Sequence, residues 1–191
     1  HRIENVKTFA GQTVTVSFYA KADAAKDVAI EIRQEFGTGG SPSSQVAATT
    51  SQTVSLTTSW ARYTKTFSIS SISGKTIGSN GNDYFRLAFW LCGGSDYNSR
   101  TNSLASQAGT FEFAQVQIEK GSVATQYEQK TSAATELECF RYYQLYSRKS
   151  GSYNNISIGR AWSNQNLTLR FHIVTPMRAS PSVSFNAVSN L

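Results

Sequence analysis

The sequence predicts an all-β chain: a β-sandwich, then a short helix, then a small and incomplete β tail. Three observations predict it. Apolar and polar residues alternate in short runs, the period of strands buried on one face and solvated on the other. Stretches rich in Gly, Ser and Asn separate those runs, as antiparallel sandwiches require. No helix-length amphipathic stretch precedes Ser132.

The elements follow in order. In GQTVTVSFYAKA, Val14, Val16, Phe18 and Ala20 share one strand face and Thr15, Ser17, Tyr19 and Lys21 the other. DVAIEIRQEF repeats the pattern, with Val28, Ile30 and Ile32 inward and Glu31, Arg33 and Glu35 outward. GTGGSPSS is a loop by composition. SQTVSLTTSWARYTKTFSI reads as two strands divided near Thr58 and Ser59, and SISGKTIGSNGND as a long loop. In DYFRLAFWLCGG, Phe85, Leu87, Phe89 and Leu91 alternate with Tyr84, Arg86, Ala88, Trp90 and Cys92. A second long polar loop, GGSDYNSRTNSLASQAG, has the length of a functional connection. FEFAQVQIEKG closes the sandwich with imperfect alternation: Val116 and Ile118 fit one face, Phe111 and Phe113 the other. A bulge, or burial on both faces at one end, accounts for that break. Thr135 and Glu138 have capping-box spacing and predict a helix from Thr135 through Tyr143 or slightly beyond. Beyond it SYNNISIGRAWS, NLTLRFHIVTP and SPSVSFNAV are strand-like, with Leu167, Leu169, Phe171 and Ile173 on one face and Pro176 and Pro181 bracketing a turn.

Eighteen basic residues against 12 acidic ones give a net charge of +6, scattered rather than clustered. That balance favours acidic polysaccharide or lipopolysaccharide phosphate as partner and offers no nucleic-acid arm. Cys92 and Cys139 lack the spacing of a metal knuckle or a redox pair, and two free thiols suit assembly in a reducing cytoplasm. No apolar run has the length of a bilayer span, and no signal-peptide pattern opens the chain. The abrupt start at His1 and the unfinished strand pattern at Leu191 suggest a piece of a longer polypeptide.

Catalytic constellations are lacking. The two histidines, His1 and His172, leave no triad within the sandwich, and no GxSxG, HExxH or phosphate-cradling loop occurs. Glu31 and Glu35 share a strand face about 13 Å apart, too far for a glycosidase pair, with Arg33 between them to pair with both. They read as a solvated charge ladder. Binding has a better lead: Tyr84, Arg86 and Trp90 project from one face at about 6.6 Å intervals, an aromatic platform with a guanidinium beside it. Tyr19 would extend it if its strand joins the same sheet, and Tyr97 on the loop would close over it. The other reading of Trp90 is packing under a loop or against another subunit; Trp60 reads as core or edge packing. In the tail, Phe140, Tyr142, Tyr143, Tyr146 and Trp162 are too many aromatics for one stripe and read as a subunit interface.

The ordered segments RIENVKTFAGQTVTVSFYAKA, DYFRLAFWL, FAQVQIEKGSVAT, ELECFRYYQ and PMRASPSV resemble a recurring region of bacteriophage tail-fibre and tailspike proteins. The first part is similar to jelly-roll carbohydrate-binding modules and the second to small C-terminal trimerisation domains. The resemblance implies a jelly roll over residues 1–128, a linker and helix over 129–149 and a partial β trimerisation domain over 150–191. It implies a homotrimeric virion protein, made in a bacterial cytoplasm, that binds host polysaccharide or lipopolysaccharide without cleaving it and contacts other tail proteins. Two alternatives stand beside it: a structural spacer of the fibre, and an accessory part of a polysaccharide-degrading tailspike. Similar modules hold a structural calcium through an acidic residue on the closing strand. Here Gln115 and Gln117 precede Glu119, so no cofactor is expected, and calcium is the one candidate.

Overall fold

The alternating runs form strands, and two antiparallel sheets bury their apolar faces against each other. The computed structural model describes residues 1–145, 158–161, 167–170 and 172–182. The chain divides into two units, His1–Tyr127 and Glu128–Leu191.

In the first unit the strands are β1 (Arg2–Glu4), β2 (Thr13–Ala22), β3 (Lys26–Glu35), β4 (Val46–Ala47), β5 (Gln52–Leu56), β6 (Ala61–Ser68), β7 (Tyr84–Trp90) and β8 (Phe111–Lys120). The five-stranded sheet runs β1-β7-β3-β4, with β5 also on β3; the three-stranded sheet runs β6-β2-β8. Val14, Val16, Phe18 and Ala20 of β2 and Val28, Ile30 and Ile32 of β3 are fully buried between the sheets, as their period demands. Phe18 sits at the centre, its ring 5.0 Å from Phe89, 5.8 Å from Tyr63 and 5.9 Å from Phe113. Burial of a Phe contributes roughly 1.5–3 kcal/mol, and each well-placed ring pair about 0.5–1.5 kcal/mol more.

The broken alternation of β8 is a bulge. Its register with β2 shifts between Ser17 and Tyr19, and Gln115 has a positive φ of 51° there. The extra residue lets both Phe113 and Ile118 pack against the core although they differ in parity. At Gly121, with φ 105°, the chain turns back over the three-stranded sheet. Thr15 donates to the Gly121 carbonyl at 2.8 Å, and Arg62 donates to that of Thr125. Thr15 and Ser17 are thereby buried on what is otherwise the outer face of that sheet.

In the second unit a helix spans Ser132–Cys139. It starts earlier than the capping-box spacing predicts: Thr131 is the cap, its hydroxyl accepting from Ala134 N at 3.3 Å. Phe140 closes it, so Tyr142 and Tyr143 lie beyond the helix. Strands β9 (Ile158–Ala161) and β10 (Leu167–Arg170) pair as an antiparallel hairpin. Gln144 bridges to the segment before Pro176, donating to Thr175 O at 3.3 Å and accepting from Val174 N at 3.2 Å. Tyr146, Trp162 and Phe171 lie outside the described residues.

Candidate functional site

The outer face of the five-stranded sheet carries the predicted platform. Register places Arg33 opposite Arg86, and Arg86 opposite Arg2, so three arginines stand side by side across β3, β7 and β1. Glu35, Tyr84 and Glu4 form the adjacent row; Glu31 faces Ala88 on the other side. Like charges directly opposite in a sheet repel. The flanking carboxylates offset that repulsion: Arg86 lies 3.4 Å from Glu35 and 3.9 Å from Glu31, and Arg33 lies 3.3 Å from Glu31 and 4.0 Å from Glu35. The match is incomplete, since Nε of Arg33, Nε of Arg86 and Oε1 of Glu35 are buried without a hydrogen bond.

The polar loop between β7 and β8 folds onto this face. It contains a 3-10 turn, Ser95–Tyr97, and a single helical turn, α1 (Asn98–Thr101). Its ends are zipped by Gly93 N to Ala105 O and Gly94 N to Leu104 O at 3.2 and 3.1 Å. A side chain at Gly93 would collide with the Leu104 carbonyl, so the close approach requires glycine. Ser51 donates to Arg100 O at 2.7 Å, and buried Thr101 donates to Tyr97 O at 2.9 Å.

Arg100 then reaches down to Glu31. Its Nε and Nη2 donate to the two carboxylate oxygens at 2.8 and 2.9 Å, and Trp90 Nε1–H donates to Oε2 at 3.0 Å. Burial pushes the Glu31 carboxyl up, but the hydrogen bonds from Arg100, Trp90 and Arg33 outweigh it and hold the group below the usual carboxylate range. The same guanidinium lies 4.8 Å over the Trp90 ring, and Tyr97 packs on that ring at 5.3 Å.

The structure therefore brings Tyr84, Arg86, Trp90 and Tyr97 to one face. Tyr19 does not join them, because β2 belongs to the other sheet, where Tyr19 pairs with Arg62 and Ala114. Glu31 is not a solvated rung of a charge ladder: its side chain is 2% exposed under Arg100. Sequence reasoning missed Arg100, Arg33 and Arg2 as site residues. Alternation with Glu4 was a signal for Arg2; no local pattern marks Arg100. Phe140 is half-buried, and Tyr142 and Tyr143 are exposed in the second unit.

Glu119, the carboxylate to which the calcium expectation pointed, lies on the closing strand β8. Among the described residues no three His, Cys, Asp or Glu side chains converge. Glu119 is engaged instead by Gln117 and by Thr125 N at 2.9 Å. The Gln117 contact, followed by that of Thr125, holds its carboxyl below the usual range.

Residues 6–81 match the family described as "Carbohydrate binding domain" (CBM_4_9). The match includes Tyr19, Glu31, Arg33, Glu35 and Trp60, and ends before Tyr84. No curated protein shows significant similarity to the chain. A solved structure described as "CBM4 structure and function" is similar over 63% of this chain and 59% of its own, at 21% identity and a TM-score of 0.38. The chain thus spans less than two thirds of that structure's length.

Proposed function

We propose that the outer face of the five-stranded sheet binds an acidic cell-surface glycan, without cleaving it, in a host-recognition module of a bacteriophage tail fibre or tailspike. The observation that carries the reading is the row Arg2, Arg86 and Arg33 beside Tyr84. Glu31 and Glu35 offset part of the repulsion among the three guanidiniums, and a carboxylate- or phosphate-bearing saccharide offsets the rest while Tyr84 offers its hydroxyl. The carbohydrate-binding match over residues 6–81 supports the ligand class. The likeness of the ordered segments to tail-fibre regions supports a place on the virion beside other tail proteins.

The trimer belongs to this proposal. Leu137, Tyr143, Leu145, Ile173 and Val174 are each about half exposed or more in the second unit, apolar surface that subunit association would bury. Light scattering on the full chain should give three times the monomer mass; a stable monomer sinks the assembly. Binding to intact host cells should fall for Arg86→Ala, and unchanged binding removes the site.

One observation favours the spacer reading. Trp90 is covered by Tyr97 and Arg100, and Tyr84 has the Arg2 guanidinium at 4.6 Å over its ring. A fibre spacer predicts no glycan binding by the wild type at all.

A further inference from the structure

The outer face of the three-stranded sheet is covered at one end and open at the other. The turn-back from Gly121 to Thr125 buries Thr15 and Ser17, while Tyr19 remains 37% and Trp60 47% exposed. Alternation puts Tyr19 and Lys21 of β2 on that outer face, and Ala20 pairs with Ala61, so Trp60 flanks Lys21 across the strand boundary. The Lys21 ammonium lies 5.4 Å over the Trp60 ring and 2.9 Å from Glu112 of β8. On its two sides Tyr19 has Arg62 and Ala114, and the small Ala114 leaves one flank of the phenol open.

We propose that Tyr19 and Trp60 form a second saccharide-binding platform, on the sheet opposite the arginine row, for a neutral pyranoside chain. Two amphipathic rings on one sheet face, Tyr19 from β2 and Trp60 just before β6, supply the apolar surface on which sugar C–H groups stack. Lys21 and Arg62 donate to hydroxyls and Glu112 accepts from them. Lys21 is paired with Glu112, and Arg62 already donates to the Ser17 hydroxyl and the Thr125 carbonyl, an arrangement that suits hydroxyls rather than a carboxylate. Tyr19 faces Arg62 and Trp60 flanks Lys21, so the two rings stand on the diagonal between neighbouring strands, about 7–8 Å apart, a span that a short run of sugar rings covers. The arginine row selects for charge and this platform for shape, so the two faces of the sandwich hold different glycans.

The test is affinity electrophoresis of the full chain through gels containing xylan, mannan or mixed-linkage β-glucan as neutral probes and alginate as the acidic one. At least one neutral probe should retard the wild type. Tyr19→Ala/Trp60→Ala should then weaken that affinity by about tenfold or more, with Trp60→Phe retaining most of it. A single cooperative melt, lowered by the lost burial of these half-covered rings but complete well above the assay temperature, reports that the variants fold. No retardation by any neutral probe, or retardation that survives the double substitution, overturns the platform. A wild type held by a neutral probe but not by alginate supports it while failing the arginine row. Loss of neutral and alginate binding together in the double variant shows one shared site and overturns the proposal of two.

Discussion

Arg100→Ala unfastens the loop from the sheet, and its cost can be worked from the geometry. The substitution removes two charge-assisted hydrogen bonds to Glu31, at 2.8 and 2.9 Å, and a cation–π contact at 4.8 Å. Truncating one partner of a fully buried ion pair costs about 3–5 kcal/mol. Two features lower that figure: Arg100 is 35% exposed, and Glu31 keeps Trp90 at 3.0 Å and Arg33 at 3.3 Å. The expected loss is about 2–3 kcal/mol, or roughly 8–12 °C in melting temperature for a unit of this size. Calorimetry at neutral pH measures it, and a double-mutant cycle with Glu31→Gln should return about 2 kcal/mol of coupling. The sign with pH is fixed. Because the folded Glu31 pKa lies below its ordinary value, the contribution is present above about pH 4.3 and lost as pH falls through the lowered folded value. Wild type and variant should therefore converge in acid. A loss below about 0.5 kcal/mol at neutral pH would refute the reasoning, since the pair would then behave as an exposed one.

Further outcomes follow from the same contacts. Trp90→Phe keeps a ring against Tyr97 but loses the donor to Glu31, and should cost about 1–2 kcal/mol by thermal melt. Phe18→Ala, at the centre of the ring cluster, should cost about 3–5 kcal/mol in urea unfolding with an unchanged m-value. A protein cut after Tyr127 should fold alone and be monomeric. One cut after Gly121 should be measurably less stable, because it lacks Thr125, which caps Glu119 and receives Arg62. Equal stability of the two truncations would show that the turn-back contributes nothing.

The strands were legible because one face of each is buried: Val14, Val16 and Phe18 or Val28, Ile30 and Ile32 announce themselves by period. The defect in β8 was legible as a break in parity, and of its two readings the structure has the bulge: Phe113 and Ile118 both pack against the core, while Val116 is exposed. Strand order was not. Period 2 assigns Tyr19 and Tyr84 to outer faces but cannot say that the faces are opposite, because pairing is decided between segments far apart in the chain. The burial of Glu31 was hidden for the same reason: its partner Arg100 lies 69 residues away, on a loop whose composition signals only polarity. The helix start moved from Thr135 to Ser132 because Thr131 also supplies a capping hydroxyl, and the earlier cap adds a turn.

The account stands most directly on Arg86, the middle guanidinium of the row. Equilibrium binding of the full chain to purified host surface polysaccharide, wild type against Arg86→Ala, should show affinity falling about tenfold or more, with the residual binding weakening further as salt rises. Equal affinity of the two proteins, with both folded, would contradict it.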